Sequence, residues 1–342
     1  MMGVAMESPA PTSPGLPAEV MAVLRCPHCG GTLQEKPGGL SCANCARKFP
    51  RVNGMVCFVE VQDYAGSFGF QWHKYARTQL DDVHSQESER AFRLKTGFTP
   101  AELSGKLILD VGCGMGRFAE VASRWGARVV GVDLSRAAEV AANNLAGREN
   151  ATFLQANLFS LPFAPESFDY IYSIGVLHHT PDCEKAFRSL LPFLKPGGHI
   201  AIWLYSGYNK WYRVSDFYRK FTSRLPNRWL LALCHVAVPL YPVHRLLRYV
   251  PILGRPLSAL LGYLLPVSLQ PKRDWRVLDT FDWYSPKYQS KHTYEEVARW
   301  FESEGLDSVR VLFEPIALQG RKPSCGPEAR REEASCVESQ AS

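Results

Sequence analysis

Five short apolar runs divide the middle of the chain: Leu107 to Val111, Arg128 to Asp133, Ala151 to Gln155, Phe168 to Ile174 and Gly198 to Tyr205. The segments between them read as helices. Strand alternating with helix predicts a parallel, doubly wound α/β sheet, with ligands at the carboxyl ends of its strands. Ahead of the first run, FGFQWHKYARTQLD is amphipathic enough for one or two helices within a connector over 61–104. After the last run the pattern changes. In 207–276 the apolar stretch Trp229 to Tyr241 is shorter than the about 20 residues needed to span a bilayer, and Pro239, Pro242 and Pro251 break the rest of the segment into short helices. Residues 277–319 then read as a polar, aromatic loop, an amphipathic helix with Val297, Trp300 and Phe301 on its apolar face and Gly305 at its end, and a last strand or two. Residues 1–20, rich in Pro, Ala and Ser, and the polar 320–342 are expected to be disordered.

Composition adds a large core and an uneven charge. Of 342 residues, 46% are hydrophobic and 21% charged, as in a globular protein. The net charge of +6 conceals twelve Lys or Arg against two acids, Asp216 and Asp274, in 207–276, so the remainder is slightly acidic. Such a local excess points to an anionic partner for one region. A helical cap over a ligand site explains this segment most simply. Its leucines and aromatics suit an apolar acceptor or a peripheral contact with anionic lipid, more than nucleic acid. With no apolar run following a basic segment near the start, the expected location is cytoplasmic, at most peripheral to a membrane.

The ten cysteines are not arranged like a disulfide framework. Cys26 and Cys29 form one CxxC, Cys42 and Cys45 another, with twelve residues between the pairs. Two such knuckles make a tetrahedral thiolate site of the kind zinc prefers, and four thiolates leave no open position for catalysis. A structural zinc ribbon over 21–60 is the expectation.

The sharpest chemical signal is LILDVGCGMGRF, Leu107 to Phe118. Strand, tight turn and helix follow one another, with Gly112, Gly114 and Gly116 in the turn and Asp110 before it. Glycines let a ligand approach the backbone, the helix start offers free N–H groups, and Asp133 at the end of the next strand can accept both hydroxyls of a ribose. With LPF at Leu161 to Phe163 and FDYIYSIGVLHH at Phe168 to His179, the chain from Gly105 to Trp203 resembles the class I S-adenosylmethionine-dependent methyltransferases. The dinucleotide oxidoreductases compete poorly, because their pattern does not expect the later motifs. The cysteine module resembles the zinc-ribbon activator subunits of tRNA methyltransferases.

The resemblance implies a fold and a set of roles. The fold is a doubly wound Rossmann-like methyltransferase sheet over 105–206, with an N-terminal zinc ribbon and a helical cap insertion. S-adenosyl-L-methionine is the implied cofactor, with structural zinc beside it. The glycine loop would pass the methionine part, Asp133 would take the ribose and Leu134 would pack on the adenine. Asn157, where the family often has Asp, and its neighbour Leu158 would border the adenine, and Asp110 would stay ionised to orient the loop or the methionine amine. Phe70, Trp72 and Tyr75 are candidate lid residues. His178 and His179 stand where the acceptor should meet the methyl donor, as a base or as a wall. Asp282, Trp283, Tyr284 and His292 line the acceptor side or form a network between cap and sheet. The expected activity is methyl transfer to a small-molecule or lipid-like acceptor. A tRNA or rRNA methyltransferase is the first alternative, and a non-catalytic partner-binding protein retaining the cofactor pocket is the second.

Overall fold

In the computed structural model, which describes residues 15–59, 65–82, 86–208 and 212–324, the cysteine region is an antiparallel meander. A short helix, α1 (Ala18–Val23), precedes β1 (Leu33–Lys36), β2 (Gly39–Cys42), β3 (Lys48–Val52) and β4 (Met55–Val56), which pair in that order. Part of the segment expected to be disordered is therefore helical, with Val20 buried; residues 1–14 lie outside the described residues. So short a meander encloses little core of its own. It borrows one from the large sheet: Val20, Leu24, Leu33, Leu40, Phe49 and Val56 cluster with Leu154, Leu158 and Phe163. Backbone bonds fix the seam. Arg25 N–H donates to the Pro162 carbonyl at 2.8 Å, Ala164 N–H to Val23 at 2.7 Å and Phe58 N–H to Gln155 at 2.8 Å.

Helices α2 (Gly66–Lys74), α3 (Glu87–Thr96) and α4 (Pro100–Leu103) lead into the sheet. At α4, Thr99 and Glu102 exchange hydrogen bonds in a capping box with Pro100 just inside the helix. Then come β5 (Leu107–Val111), α5 (Arg117–Arg124), β6 (Arg128–Asp133), α6 (Ala137–Asn144), β7 (Ala151–Gln155), β8 (Phe168–Ile174), α7 (Cys183–Arg188) and β9 (Leu194–Trp203). All five residues of β5 are buried, as a central parallel strand covered on both faces requires. Strands β6 and β7 extend the sheet on one side of β5, and β8 and β9 on the other, all parallel. The connections reverse direction at β5, and that opens a crevice above its carboxyl end. Pro196-Gly197-Gly198 lies inside β9, where the pairing shifts register.

Among the described residues, the basic segment holds α8 (Tyr212–Thr222), α9 (Asn227–Ala237), α10 (Leu240–Leu247) and α11 (Gly254–Leu264). Next comes α12 (Arg273–Tyr284), which corrects the expectation of a loop here. Trp275, Leu278 and Phe281 recur every three residues and are buried, a helical period that the density of polar groups obscured. Leu230, Leu231 and Cys234 of α9 pack with Val277, Leu278 and Phe281 of α12 and with Tyr75. The outer faces are bare: Trp229 is 69% exposed and Ile252 92%. By length and composition alone, Asn227–Leu247 is long and apolar enough to cross a membrane, although Trp229 to Tyr241 alone is too short. The break between α9 and α10 falls at Pro239. Finally α13 (Tyr294–Ser303) buries Val297, Trp300 and Phe301, and β10 (Asp307–Val311) and β11 (Ala317–Arg321) close the sheet edge, with β11 antiparallel to β9. The expected disordered tail thus begins too early at 320, because β11 reaches Arg321; residues from 325 onward lie outside the described residues.

Candidate active site

A cavity of about 450 Å³ sits above β5, lined by the glycine loop, the ends of β6 and β8, and residues of α2, α3, α5 and α12. Its floor is set by backbone geometry. Gly112 has φ +79° and a Cβ there would fall 2.3 Å from Val176, while Gly114, at φ +53°, brings its backbone against the Trp72 indole. No other residue type allows this turn without strain. Gly112 and Gly114 line the cavity, whereas Gly116 caps α5 behind it.

Asp133 holds the loop and faces the cavity. Its carboxylate accepts Gly114 N–H at 3.0 Å, Ser135 N–H at 2.8 Å and the Ser135 hydroxyl at 2.7 Å. Burial raises its pKa and these three donors pull it back. Leu134, Ala156 and Leu158 form an apolar wall beside it. Asn157 does not face the cavity; its side chain accepts the Phe159 N–H at 3.0 Å and caps a short turn. Asp110 lies beneath the loop, buried, with Oδ2 lacking a hydrogen-bond partner. The expectation of an ionised Asp110 is corrected: burial pushes its pKa up to about 8, the Tyr172 hydroxyl opposes this and the Asp133 charge adds to it.

The two histidines have different surroundings. His178 is fully buried and does not line the cavity; its ring stacks on Tyr205 at 4.0 Å and neither nitrogen has a partner. Burial holds its pKa well below the usual range. His179 lines the cavity and its Nδ1 lies 3.0 Å from the Tyr288 carbonyl. A carbonyl only accepts, so Nδ1 carries the proton and Nε2 keeps a lone pair. Burial lowers its pKa against the opposing charge of Asp282.

Asp282 and Trp283 also line the cavity. Asp282 accepts the Tyr205 hydroxyl at 2.8 Å and the Gln71 amide at 3.4 Å. Tyr284 and His292 turn elsewhere: the Tyr284 hydroxyl donates to the Pro266 carbonyl at 2.6 Å, and His292 sits between the Ser290 hydroxyl and the Glu296 carboxylate. Of the lid candidates Trp72 lines the cavity, while Phe70 packs on Phe281 and Tyr75 joins the core between α9 and α12.

Sequence reasoning missed the charged half of the wall. Lys95 places its amine 3.5 Å above the Trp203 ring, and burial pulls its pKa down to about 7. Arg117 lies against Phe118 and Trp275, and its Nε donates to the Ser88 hydroxyl at 2.9 Å. Asp279 accepts from the Ser268 hydroxyl at 3.1 Å and is raised by burial to about 7. The one signal for Arg117 was its place directly after the glycine loop. Nothing in the pattern singled out Lys95, which reaches the site only because α3 crosses β9.

Outside the lining of this cavity, the sulfurs of Cys26, Cys29, Cys42 and Cys45 all lie within 4.8 Å of one another. The Cys26–Cys45 and Cys29–Cys42 separations are 3.7 and 3.5 Å, close to the about 3.8 Å edge of a tetrahedron with zinc–sulfur bonds. The backbone N–H of Cys45, with that of Asn44, brings the Cys42 thiol down to about 6 against the opposing effect of burial.

A family model described as a methyltransferase domain matches residues 109–202. A ubiquinone biosynthesis O-methyltransferase from Ralstonia nicotianae is 36% identical over 118 residues, covering 29% of this chain and 43% of that protein. A sterol 24-C-methyltransferase from Schizosaccharomyces pombe is 26% identical over 149 residues, covering 42% of this chain and 38% of that one. Among solved structures, an S-adenosylmethionine-dependent methyltransferase from Mesorhizobium loti is 34% identical, covers 34% of this chain and 52% of that one, and superposes with a TM-score of 0.30. The chain spans less than half the length of both curated relatives.

Proposed function

Its central sheet and glycine loop place this chain among the class I S-adenosylmethionine-dependent methyltransferases, and from that premise we propose that it methylates a small or lipid-like acceptor beneath the helical cap. The observation that carries the reading is one continuous cavity. It joins the glycine loop of Gly112 and Gly114, and Asp133 at the end of β6, to a second wall of His179, Asp282, Trp203 and Trp283. The first wall fits the cofactor: Asp133 suits ribose hydroxyls and the apolar face of Leu134, Ala156 and Leu158 suits a base, while the Asp110 carboxyl, with Oδ2 unpartnered, is buried beneath the loop. When bound, S-adenosylmethionine supplies a methyl group made electrophilic by its sulfonium.

The chain's own residues do the rest. Aromatic walls from Trp72, Trp203, Trp275 and Trp283 exclude water and fix the acceptor's orientation, which supplies much of the acceleration in such transfers. Asp282, held by Tyr205 and Gln71, orients a donor group on the acceptor. An acceptor hydroxyl or amine that gains a methyl must lose a proton, and His179 Nε2 takes it. The names of the relatives, one acting in ubiquinone biosynthesis and one on a sterol, favour small acceptors over nucleic acid. The exposed apolar helices and their arginines fit a cytoplasmic enzyme resting on a membrane that carries its acceptor.

The four cysteines fit a structural zinc, which would tie the meander into the core it shares with the sheet. Calorimetric titration of the full chain with S-adenosylhomocysteine tests the premise, and mass-resolved assays of quinol, phenol and sterol acceptors test the substrate class. Binding is expected in the first and methylation of at least one apolar acceptor in the second; failure to bind in a folded sample would overturn the reading.

A further inference from the structure

A second cavity, of about 700 Å³, opens among the cap helices. Ser215 of α8, His244 of α10 and Arg248 just past its end, Arg255 and Ser258 of α11, and Trp283 of α12 line it, together with apolar residues. No carboxylate lines it, and neither arginine has an acidic partner among the described residues. His244 is 2% exposed, its Nδ1 lies 3.1 Å from the Ser258 hydroxyl and its buried Nε2 has no partner. Two unpaired guanidiniums, an orphaned imidazole nitrogen and serine hydroxyls on one concave surface are the chemistry that recognises phosphate oxygens.

Two further features narrow the ligand. Leu246, Tyr249, Leu253, Leu257 and Leu260 stand exposed on or beside the same two helices, which suits an apolar chain running out of the cavity. Trp283 is a wall of both cavities, so the second cavity adjoins the catalytic one across that side chain. We propose that the second cavity binds the phosphate of an amphiphilic phosphate ester whose apolar part lies along α10 and α11. This rests on the lipid-like acceptor reading and gives it a headgroup.

The test uses full-length protein, wild type beside Arg248→Gln/Arg255→Gln and Gly262→Val. A Cβ at Gly262 would meet His244 Cε1 at 3.3 Å, so this variant crowds the cavity without changing charge. Two probes separate the sources: short-chain phosphatidic acid beside the matching diacylglycerol, followed by calorimetry, and vesicles of phosphate-free digalactosyldiacylglycerol with or without phosphatidylglycerol, followed by flotation. S-adenosylhomocysteine titration of each protein reports folding, and its failure in the wild type would sink the methyltransferase premise separately. Both variants are expected to weaken phosphate-dependent binding by about tenfold or more with unchanged S-adenosylhomocysteine affinity. Response to short-chain phosphatidic acid assigns a soluble ester, and response to vesicles alone a membrane lipid. Wild-type binding in both variants, binding that ignores phosphate, or loss only in the arginine variant, which marks surface charge outside the cavity, would each overturn the proposal.

Discussion

Asp133 accepts two hydrogen bonds from Ser135 in its own loop and one from Gly114 in the glycine loop, so it ties the two loops together as well as facing the cavity. Asp133→Ala is expected to weaken S-adenosylhomocysteine binding by about tenfold or more, the loss of charge-assisted hydrogen bonds, with Asp133→Asn intermediate; calorimetry decides. The histidines should separate cleanly. His179→Ala should cut turnover by about 10²- to 10⁴-fold, the range of a general base, at unchanged cofactor affinity. His178→Ala should instead lower the melting temperature, because it empties a buried site under Tyr205. Asp110 gives a pH signature. Its folded pKa of about 8 stands far above the ordinary 3.8, so between those values the folded chain keeps a proton that the unfolded chain has released, and stability falls as pH rises. Asp110→Asn removes that slope. Relative to wild type, the variant without cofactor should gain about 1 kcal/mol or more between about pH 5 and about pH 8 in denaturant titrations, while losing cofactor affinity.

At the scale of elements, the meander and the sheet act as one unit. Leu24 and Phe49 pack into the same cluster as Leu154 and Phe163, and Phe58 continues the backbone bonding onto Gln155 at the edge of β7. Cys26→Ser, or removal of metal by a chelator, should therefore lower the melting temperature of the whole chain in a single transition. A separate low-temperature melt of the ribbon would contradict this, as would unchanged metal content in the variant. Helix α12 has a similar double role. One face packs Val277, Leu278 and Phe281 against α9 and Tyr75 while Asp279, Asp282 and Trp283 line the cavity, so the packing of the cap bears on one wall of the cavity.

At the scale of the whole molecule, charge and apolar surface fall together. Twelve cations against two acids in 207–276, on helices with bare leucines and aromatics, should make retention on anionic vesicles fall steeply as salt rises towards about 0.5 M, while neutral vesicles retain far less at any salt. The central sheet, the glycine loop, Asp133 and the paired cysteines were legible in the sequence because each is local. A strand's apolar run, a turn's glycines and a knuckle's spacing are set within a dozen residues. Lys95, Arg117, Asp279 and the second cavity were not, and neither were the turning away of Asn157, Tyr284 and His292 nor the burial of His178. Which side chains converge, and which lose water, depends on how α3, α12 and the cap helices pack over the sheet. That packing is fixed by contacts between residues far apart in the chain, to which no local pattern responds.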